Sequence, residues 1–261
     1  MTQPHGRAAV TWNRDGAIVE FVLDRPPANA LGPGIIAGLH TAMDYVQTVD
    51  AKVVVVASAV DGFFAAGADI KHMSTIDAAS FREYGDALRG ALERLAALPL
   101  ISVAAIDGLA LGGGLELAMA ATLRVGGARA RLGLPEVKLG LIPGAGGTQR
   151  LPRLIGRGRA LDLMLTGRQV ENDEAVRIGL IDRFADPDTT ARATAWQLAR
   201  ELAAASTAAQ LAVVRTVDAA YDRPLPDGLG FEVEQVQDLF ERGEAAEGLR
   251  AFIDKRAPEF A

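Results

Sequence analysis

Ile101-Ser102-Val103-Ala104-Ala105-Ile106 runs directly into Asp107-Gly108-Leu109-Ala110-Leu111-Gly112-Gly113-Gly114-Leu115-Glu116. The first six residues are small or apolar, of strand length and without polar alternation, so they read as a strand covered on both faces. Gly113–Ala121 then reads as a helix. Three consecutive glycines at a helix start are costly in chain entropy. They make sense where the helix N-terminus must lie directly against something, because free N–H groups there, helped by the helix dipole, stabilise negative charge.

Working outward, the same alternation repeats. Ala17–Leu23 is a short β-branched run and reads as a strand. Gly32–Val49 spaces Ile35, Ile36, Leu39, Met43 and Val46 at helical intervals. Lys52–Ala57 is a second doubly covered strand, and Ala78–Leu98 is a helix through Phe81, Leu88, Leu92 and Leu95, stopped by Pro99. Strand and helix in turn describe an α/β core. Residues 126–150 hold seven glycines and two prolines and read as loop-rich, with Gly144–Arg150 turning into a helix. Beyond Ala175 helical spacing dominates, over Thr189–Ala205, Ala208–Tyr221, Phe231–Arg242 and Ala245–Lys255. Ile181–Phe184 alone resembles a strand there. The expectation is a core over 1–200 and a helical region over 201–261.

Composition narrows the function. The chain has 261 residues, 49% of them hydrophobic and 23% charged, as expected of a globular protein with a sizeable core. It holds no cysteine, which removes disulfides, thiolate ligands and cysteine nucleophiles together. A formal net charge of −6 argues against a protein whose main task is gripping phosphate backbones, so no nucleic-acid partner is expected. Residues 1–16 are polar and lack the apolar segment of a secretory signal. The longest apolar stretch, Leu98–Leu111, is interrupted by Pro99, Ser102, Asp107 and Gly108 and is too short to span a bilayer. A cytoplasmic protein without a membrane partner is the expectation.

Three glycine-rich turns at strand-to-helix junctions could carry chemistry. Besides the one at Gly112, they are Phe63–Lys71 (FFAAGADIK) and Leu134–Gln149 (LPEVKLGLIPGAGGTQ). None is a P-loop, since GxxxxGK[ST] is absent, and no GxGxxG follows a strand with an acidic partner. A serine hydrolase would need a turn such as GxSxG, also absent. His5, His40 and His72 are dispersed and lack metal-ligand spacing, so no metal is expected. A single glutamate in a loop is ordinarily solvated, and Glu116 could face water on an amphipathic helix. Brought together, however, Glu116 and Glu136 would let one carboxylate take a proton while the other gives one.

At these segments the chain resembles the crotonase (enoyl-CoA hydratase/isomerase) superfamily. AAGADIK at Ala65–Lys71, DGLALGGGLEL at Asp107–Leu117 and PEVKLGLIPGAGGTQRL at Pro135–Leu151 are similar to its three signature regions, in order. RPPANAL at Arg25–Leu31 and DKRAPEF at Asp254–Phe260 resemble weaker features. The resemblance implies a spiral of ββα units with a C-terminal helical oligomerisation region, assembled as homotrimers or as hexamers made of two trimers. It implies an acyl-CoA substrate and no cofactor, coenzyme A being part of the substrate.

By the same resemblance, the amides of Ala68 and Gly113 match an oxyanion hole for the thioester carbonyl, a role suited to small residues and a helix N-terminus. Glu116 and Glu136 match the two hydratase carboxylates, Glu116 toward the water and Glu136 toward the α-carbon, and Gly144 matches a helix-start amide that fixes the water. Ala66, Ala68, Asp69, Ile70 and Lys71 match the main-chain contacts to coenzyme A, with Arg25 a phosphate partner. Phe252 and Lys255 resemble residues that close over the ligand. Ala121-Thr122 stands where many relatives carry Cys-Asp, which puts local packing in question. Isomerisation, decarboxylation or hydrolysis of acyl-CoA remains open at this point. A non-catalytic scaffold or RNA-binding relative is the reading from another class, and the net charge and the glutamate pair both count against it.

Overall fold

The computed structural model describes residues 8–260; His5 and the first residues of the polar N-terminus lie outside the described residues. The chain opens with an antiparallel hairpin, β1 (Val10–Asp15) and β2 (Ile18–Leu23), followed by α1 (Pro33–Val46). Three units of one kind follow. The first is β3 (Val53–Ser58), β4 (Phe63–Ala65), the single turn α2 (Ile70–Met73) and α3 (Ala78–Ala96). The second is β5 (Ile101–Ile106), β6 (Leu109–Leu111) and α4 (Gly113–Ala120). The third is β7 (Leu123–Gly126), β8 (Arg131–Gly133), a 3₁₀ turn over Glu136–Leu139 and α5 (Gly147–Ile155). The chain closes with α6 (Arg157–Thr166), β9 (Gln169–Glu171), α7 (Asn172–Ile178), β10 (Arg183–Phe184), α8 (Ala191–Ala203), α9 (Thr207–Ala219), α10 (Leu225–Glu241) and α11 (Glu244–Asp254).

In each unit the first strand joins one sheet and the second joins another. The larger sheet runs β1-β2-β3-β5-β7-β10 and is parallel from β2 onward; the smaller runs β4-β6-β8-β9. This is the ββα spiral that the resemblance implies. In these three units the chain passes from a strand of the smaller sheet through a glycine turn toward a helix, so the three glycine turns fall at successive steps of one spiral.

The apolar runs explain the larger sheet. Val54 and Val56 of β3 and Ala104 and Ile106 of β5 face the main core with α1, α3 and α4, while Val53, Val55, Val103 and Ala105 face a second core under α8. Both faces are covered, which is why no polar alternation marks these strands. The smaller-sheet strands are three residues each, too short to show a period. Two expectations need correction. The helix expected from Gly144 begins at Gly147, and the one expected from Phe231 begins at Leu225, where Gly228 and Gly230 hide the helical pattern. The segment 157–178, which shows no clear signal in the sequence, carries α6, β9 and α7.

At Ala121-Thr122 the packing question has an answer. The Thr122 amide donates to Ser102 Oγ at 2.9 Å and the Ser102 amide to Thr122 Oγ1 at 3.2 Å, so a reciprocal pair of bonds ties the end of α4 to β5. Among the described residues no helix is long and apolar enough to cross a membrane.

One buried charge holds α8 on the sheet. Glu20, central in β2 and 1% exposed, receives Arg192 Nε and Nη2 at 2.6 Å each, Trp196 Nε1 at 3.0 Å and Asn13 Nδ2 at 2.9 Å. Burial alone would raise this carboxyl, but the hydrogen bonds from Arg192, Asn13 and Trp196 outweigh it and hold the pKa below the usual range. Arg192→Ala leaves the buried carboxylate short of its charge partner and is expected to cost about 3 kcal/mol. Urea melts at pH 7 measure this, and a change under 0.5 kcal/mol, on the scale of an ordinary surface substitution, would refute the assignment.

Candidate active site

Glu116 lies in the first turn of α4, where the glycine start turns it inward; it is 2% exposed. Its Oε1 accepts the Ala145 amide at 2.7 Å and the Gly147 amide at 2.8 Å, both from the turn into α5. Burial raises its pKa, opposed by those two amides and by the charge of Arg150. Glu136 opens the 3₁₀ turn after Pro135, and its carboxylate lies against the glycine start of α4. A Cβ on Gly112 would stand 2.9 Å from Glu136 Oε1. Gly112 has φ 50, a backbone that L side chains rarely adopt, so the position requires glycine twice over.

The two carboxylates are close enough to interact but differ in surroundings. Among the described residues Glu136 Oε2 is buried without a hydrogen-bond partner. Burial, with a further contribution from the Glu116 charge, pushes the Glu136 pKa up to about 7. Glu116 is supplied with donors that favour its ionised form. One proton shared by the pair at neutral pH therefore favours Glu136.

The first and second glycine turns meet beside this pair. A Cβ on Gly67 (φ 103) would stand 2.9 Å from the Leu111 carbonyl and 3.6 Å from the Gly113 nitrogen, and one on Gly113 would stand 3.4 Å from the Ala68 nitrogen. The backbones of Gly67-Ala68 and Leu111–Gly113 are thus in direct contact. Gly114 completes the approach, since a Cβ there would fall 2.0 Å from the Ala65 carbonyl. Neither the Ala68 nor the Gly113 amide donates to a backbone carbonyl among the described residues.

Sequence similarity places this geometry. The profile of the family Enoyl-CoA hydratase/isomerase matches residues 13–261. The chain belongs to this family. Among relatives of this enoyl-CoA hydratase/isomerase family member, a probable enoyl-CoA hydratase of Mycobacterium bovis is 40% identical over 260 residues, covering 95% of each chain. A probable enoyl-CoA hydratase of Bacillus subtilis is 35% identical, covering 97% of this chain and 98% of its own. The crystal structure of an enoyl-CoA hydratase from Bacillus anthracis superposes with a TM-score of 0.91 at 32% identity, over 97% of this chain and 98% of that one.

The remaining expected site residues of this family member divide into two groups. Ala66 and Ala68 are partly exposed, and Ile70 and Lys71 stand out on α2, so this edge is open to a ligand. Asp69 is 7% exposed; its side chain caps α2 at the His72 amide and pairs with Arg25 at 2.6 Å. Arg25, expected to meet phosphate, is thus engaged with Asp69 and with the Ala30 carbonyl at 2.7 Å. Phe252 is 83% exposed and Lys255 ends α11, which packs chiefly on α10 and not on the elements that carry the glutamates.

Gly144 is exposed and lies three residues before α5; the amides that hold Glu116 belong to Ala145 and Gly147. The GAGG run marked the turn, but which of its N–H groups point inward depends on backbone angles that composition does not encode. A hollow of about 910 Å³ lined by Leu109, Arg129, Arg131, Asn172 and Phe184 takes in neither glutamate. The glutamates and the adjoining backbones of Gly67-Ala68 and Leu111–Gly113 mark the candidate site, and volume does not.

The raised Glu136 pKa has a stability consequence. Between its unfolded value of about 4.5 and the folded value of about 7, the folded protein binds a proton that the unfolded chain has lost. That contribution is lost as pH rises through this window, leaving an ionised, poorly partnered carboxylate above it. Glu136→Gln is therefore expected to raise the melting temperature more at pH 8 than at pH 5. Scanning calorimetry at the two pH values reads the difference, and equal shifts would contradict it.

Proposed function

We propose that this protein hydrates 2-trans-enoyl-CoA thioesters to 3-hydroxyacyl-CoA. The observation that carries the reading is the pair of neighbouring glutamates in unlike surroundings, Glu116 buried and Glu136 half-buried, set beside the touching backbones of Gly67-Ala68 and Leu111–Gly113. Glu116, favoured as the ionised member, takes a proton from water as the water oxygen bonds to the β-carbon. The π electrons of the double bond move toward the thioester, whose carbonyl oxygen gains negative charge and is held by the Ala68 and Gly113 amides. Glu136, favoured as the protonated member, delivers its proton to the α-carbon. Water is added in sum, and the pair again carries one proton, now on Glu116. Two groups poised for opposite transfers favour hydration over moving a double bond with one base.

The acyl-CoA is proposed to lie over residues 66–71, with Arg25 at its phosphates and the Gly144 backbone near the attacking water. Leu225, Leu229, Val233, Val236 and Phe240 form an exposed apolar stripe along one side of α10, each at least 52% exposed. We take this stripe, with Leu249, Phe252 and Ile253 of α11, as surface covered by further copies in a homotrimer or a pair of trimers. In that assembly Phe252 and Lys255 would serve a neighbouring site. Sedimentation at micromolar concentration is expected to give a trimer or hexamer; a fully active monomer would refute the shared site.

Glu116→Gln and Glu136→Gln are each expected to lower hydration of a 2-enoyl-CoA by about 10²–10⁴-fold while binding stays close to intact. Wild-type turnover in either folded variant would overturn the mechanism. For the unmodified protein, kcat/KM is expected to fall as pH rises through about 7, when the pair loses its last proton. Hydration exchanges no proton with solvent, so the dehydration direction must show the same profile.

A further inference from the structure

The turn that carries Ala68 is held from outside by the strap Arg25–Leu31 and by one side chain from α3. The Ala66 amide donates to the Ala28 carbonyl at 2.9 Å, and the Leu31 amide to the Gly67 carbonyl at 2.8 Å. Asn29, fully buried, accepts the Arg25 amide at 2.8 Å and donates to Ser58 Oγ at 2.8 Å and the Phe64 carbonyl at 3.0 Å, which anchors the strap itself. The remaining link is Tyr84. Its hydroxyl donates to the Leu31 carbonyl at 2.7 Å and accepts the Asp69 amide at 3.0 Å. The ring is 7% exposed and meets His72 edge-on at 5.2 Å between centroids.

The effect on Ala68 follows from the order of these bonds. Ala66 and Asp69 have their N–H groups directed away, to Ala28 and Tyr84, and Gly67 has its carbonyl directed to Leu31. The Ala68 N–H between them has no backbone acceptor among the described residues, and its nitrogen lies beside Gly113, 3.4 Å from where a Cβ there would stand. A short turn with small residues has little packing of its own to hold that aim, and an amide donor acts on a developing oxyanion only when its direction is set beforehand. The Ala68 N–H shares its peptide plane with the Gly67 carbonyl, which the Leu31 amide holds. Removing the hydroxyl takes a bond from the Leu31 carbonyl and one from the Asp69 N–H, so that plane is left to the Leu31–Gly67 bond and the isolated Leu31–Ala68 bridge alone.

We infer that Tyr84 is a positioning residue for the reaction: its hydroxyl, bridging Leu31 and Asp69, fixes the direction of the Ala68 amide toward the thioester carbonyl. This rests on the acyl-CoA reading above. Tyr84 itself touches only protein, so its loss acts through polarisation of the substrate and not through proton transfer.

The test is Tyr84→Phe, which keeps the ring and deletes one oxygen. Its hydration kcat is expected to fall about 10- to 100-fold, less than outright loss of a donor, with KM changed under about threefold. The second readout is optical. A 3-aryl-2-enoyl-CoA, whose conjugated thioester absorbs in the near ultraviolet, is bound to the Glu136→Gln protein so that it persists, and its red shift on binding is recorded with and without Tyr84→Phe. The shift reports carbonyl polarisation and is expected to shrink. A tyrosine that only stabilised the fold would lower the melting temperature and leave shift and kcat in place. Replacing Tyr84 with 4-aminophenylalanine keeps a donor to Leu31 and weakens acceptance from Asp69. It serves if the phenylalanine variant does not fold, with an intermediate shift expected. The full unmodified shift in either folded variant overturns the inference. If the unmodified protein shifts the thioester spectrum but does not hydrate it, the hydration reading fails and the Tyr84 inference is judged on the shift alone.

Discussion

The contact between two backbones, Gly67-Ala68 from one unit of the spiral and Leu111–Gly113 from the next, is the constraint on which the rest of the site depends. It is possible because three positions carry no Cβ: one on Gly67 would stand 2.9 Å from the Leu111 carbonyl, one on Gly112 2.9 Å from Glu136 Oε1, and one on Gly114 2.0 Å from the Ala65 carbonyl. Side chains at these places would separate the Ala68 and Gly113 amides or displace the second carboxylate. The entropy lost by ordering glycines is offset by packing elsewhere, in strands such as Val53–Ser58 that are buried on both faces. A rigid, doubly covered sheet lets the loose-natured turns be held at fixed separations.

The spiral makes that contact recur. Because β4, β6 and β8 pair side by side in parallel, the turns that follow them emerge at one end of the smaller sheet, the carboxyl ends of these strands. The turn after β4 presents Ala68, the turn after β6 presents Gly113 and Glu116, and the turn after β8 presents Glu136. The entry to α5 then returns with the Ala145 and Gly147 amides, which grip Glu116 from behind. The candidate site is thus made of main chain at three neighbouring steps, with two carboxylates as its charged members.

Those carboxylates illustrate how burial and donors divide a proton. Both are raised by desolvation, but Glu116 has two amides and the nearby Arg150 charge, whereas Glu136 Oε2 is buried without a partner among the described residues. A poorly satisfied buried carboxyl weakens the fold above neutral pH, and such concessions are common where a group must change its protonation in use. Glu20 shows the opposite case: more deeply buried than Glu136, it has Arg192, Trp196 and Asn13 to hold its charge, and it ties α8 to the sheet.

Much of this was legible in the sequence. Doubly covered strands announced themselves in Lys52–Ala57 and Ile101–Ile106, because burial on both faces removes the polar alternation of a half-exposed strand. The three glycine turns and the carboxylates Glu116 and Glu136 were visible because chemistry at close range needs both small residues and charge. What only the tertiary structure decided were relations between distant segments. The short strands β4, β6 and β8 exist through pairing with each other, and three residues cannot display a period. That the Ala145 and Gly147 amides hold Glu116 depends on backbone angles in the turn. That Arg25 meets Asp69, and that Tyr84 joins Leu31 to Asp69, depends on the strap crossing the first glycine turn, Phe63–Lys71. Local pattern reports what each segment must bury; only the folded chain determines which buried groups face one another, because that depends on the whole set of packing contacts at once.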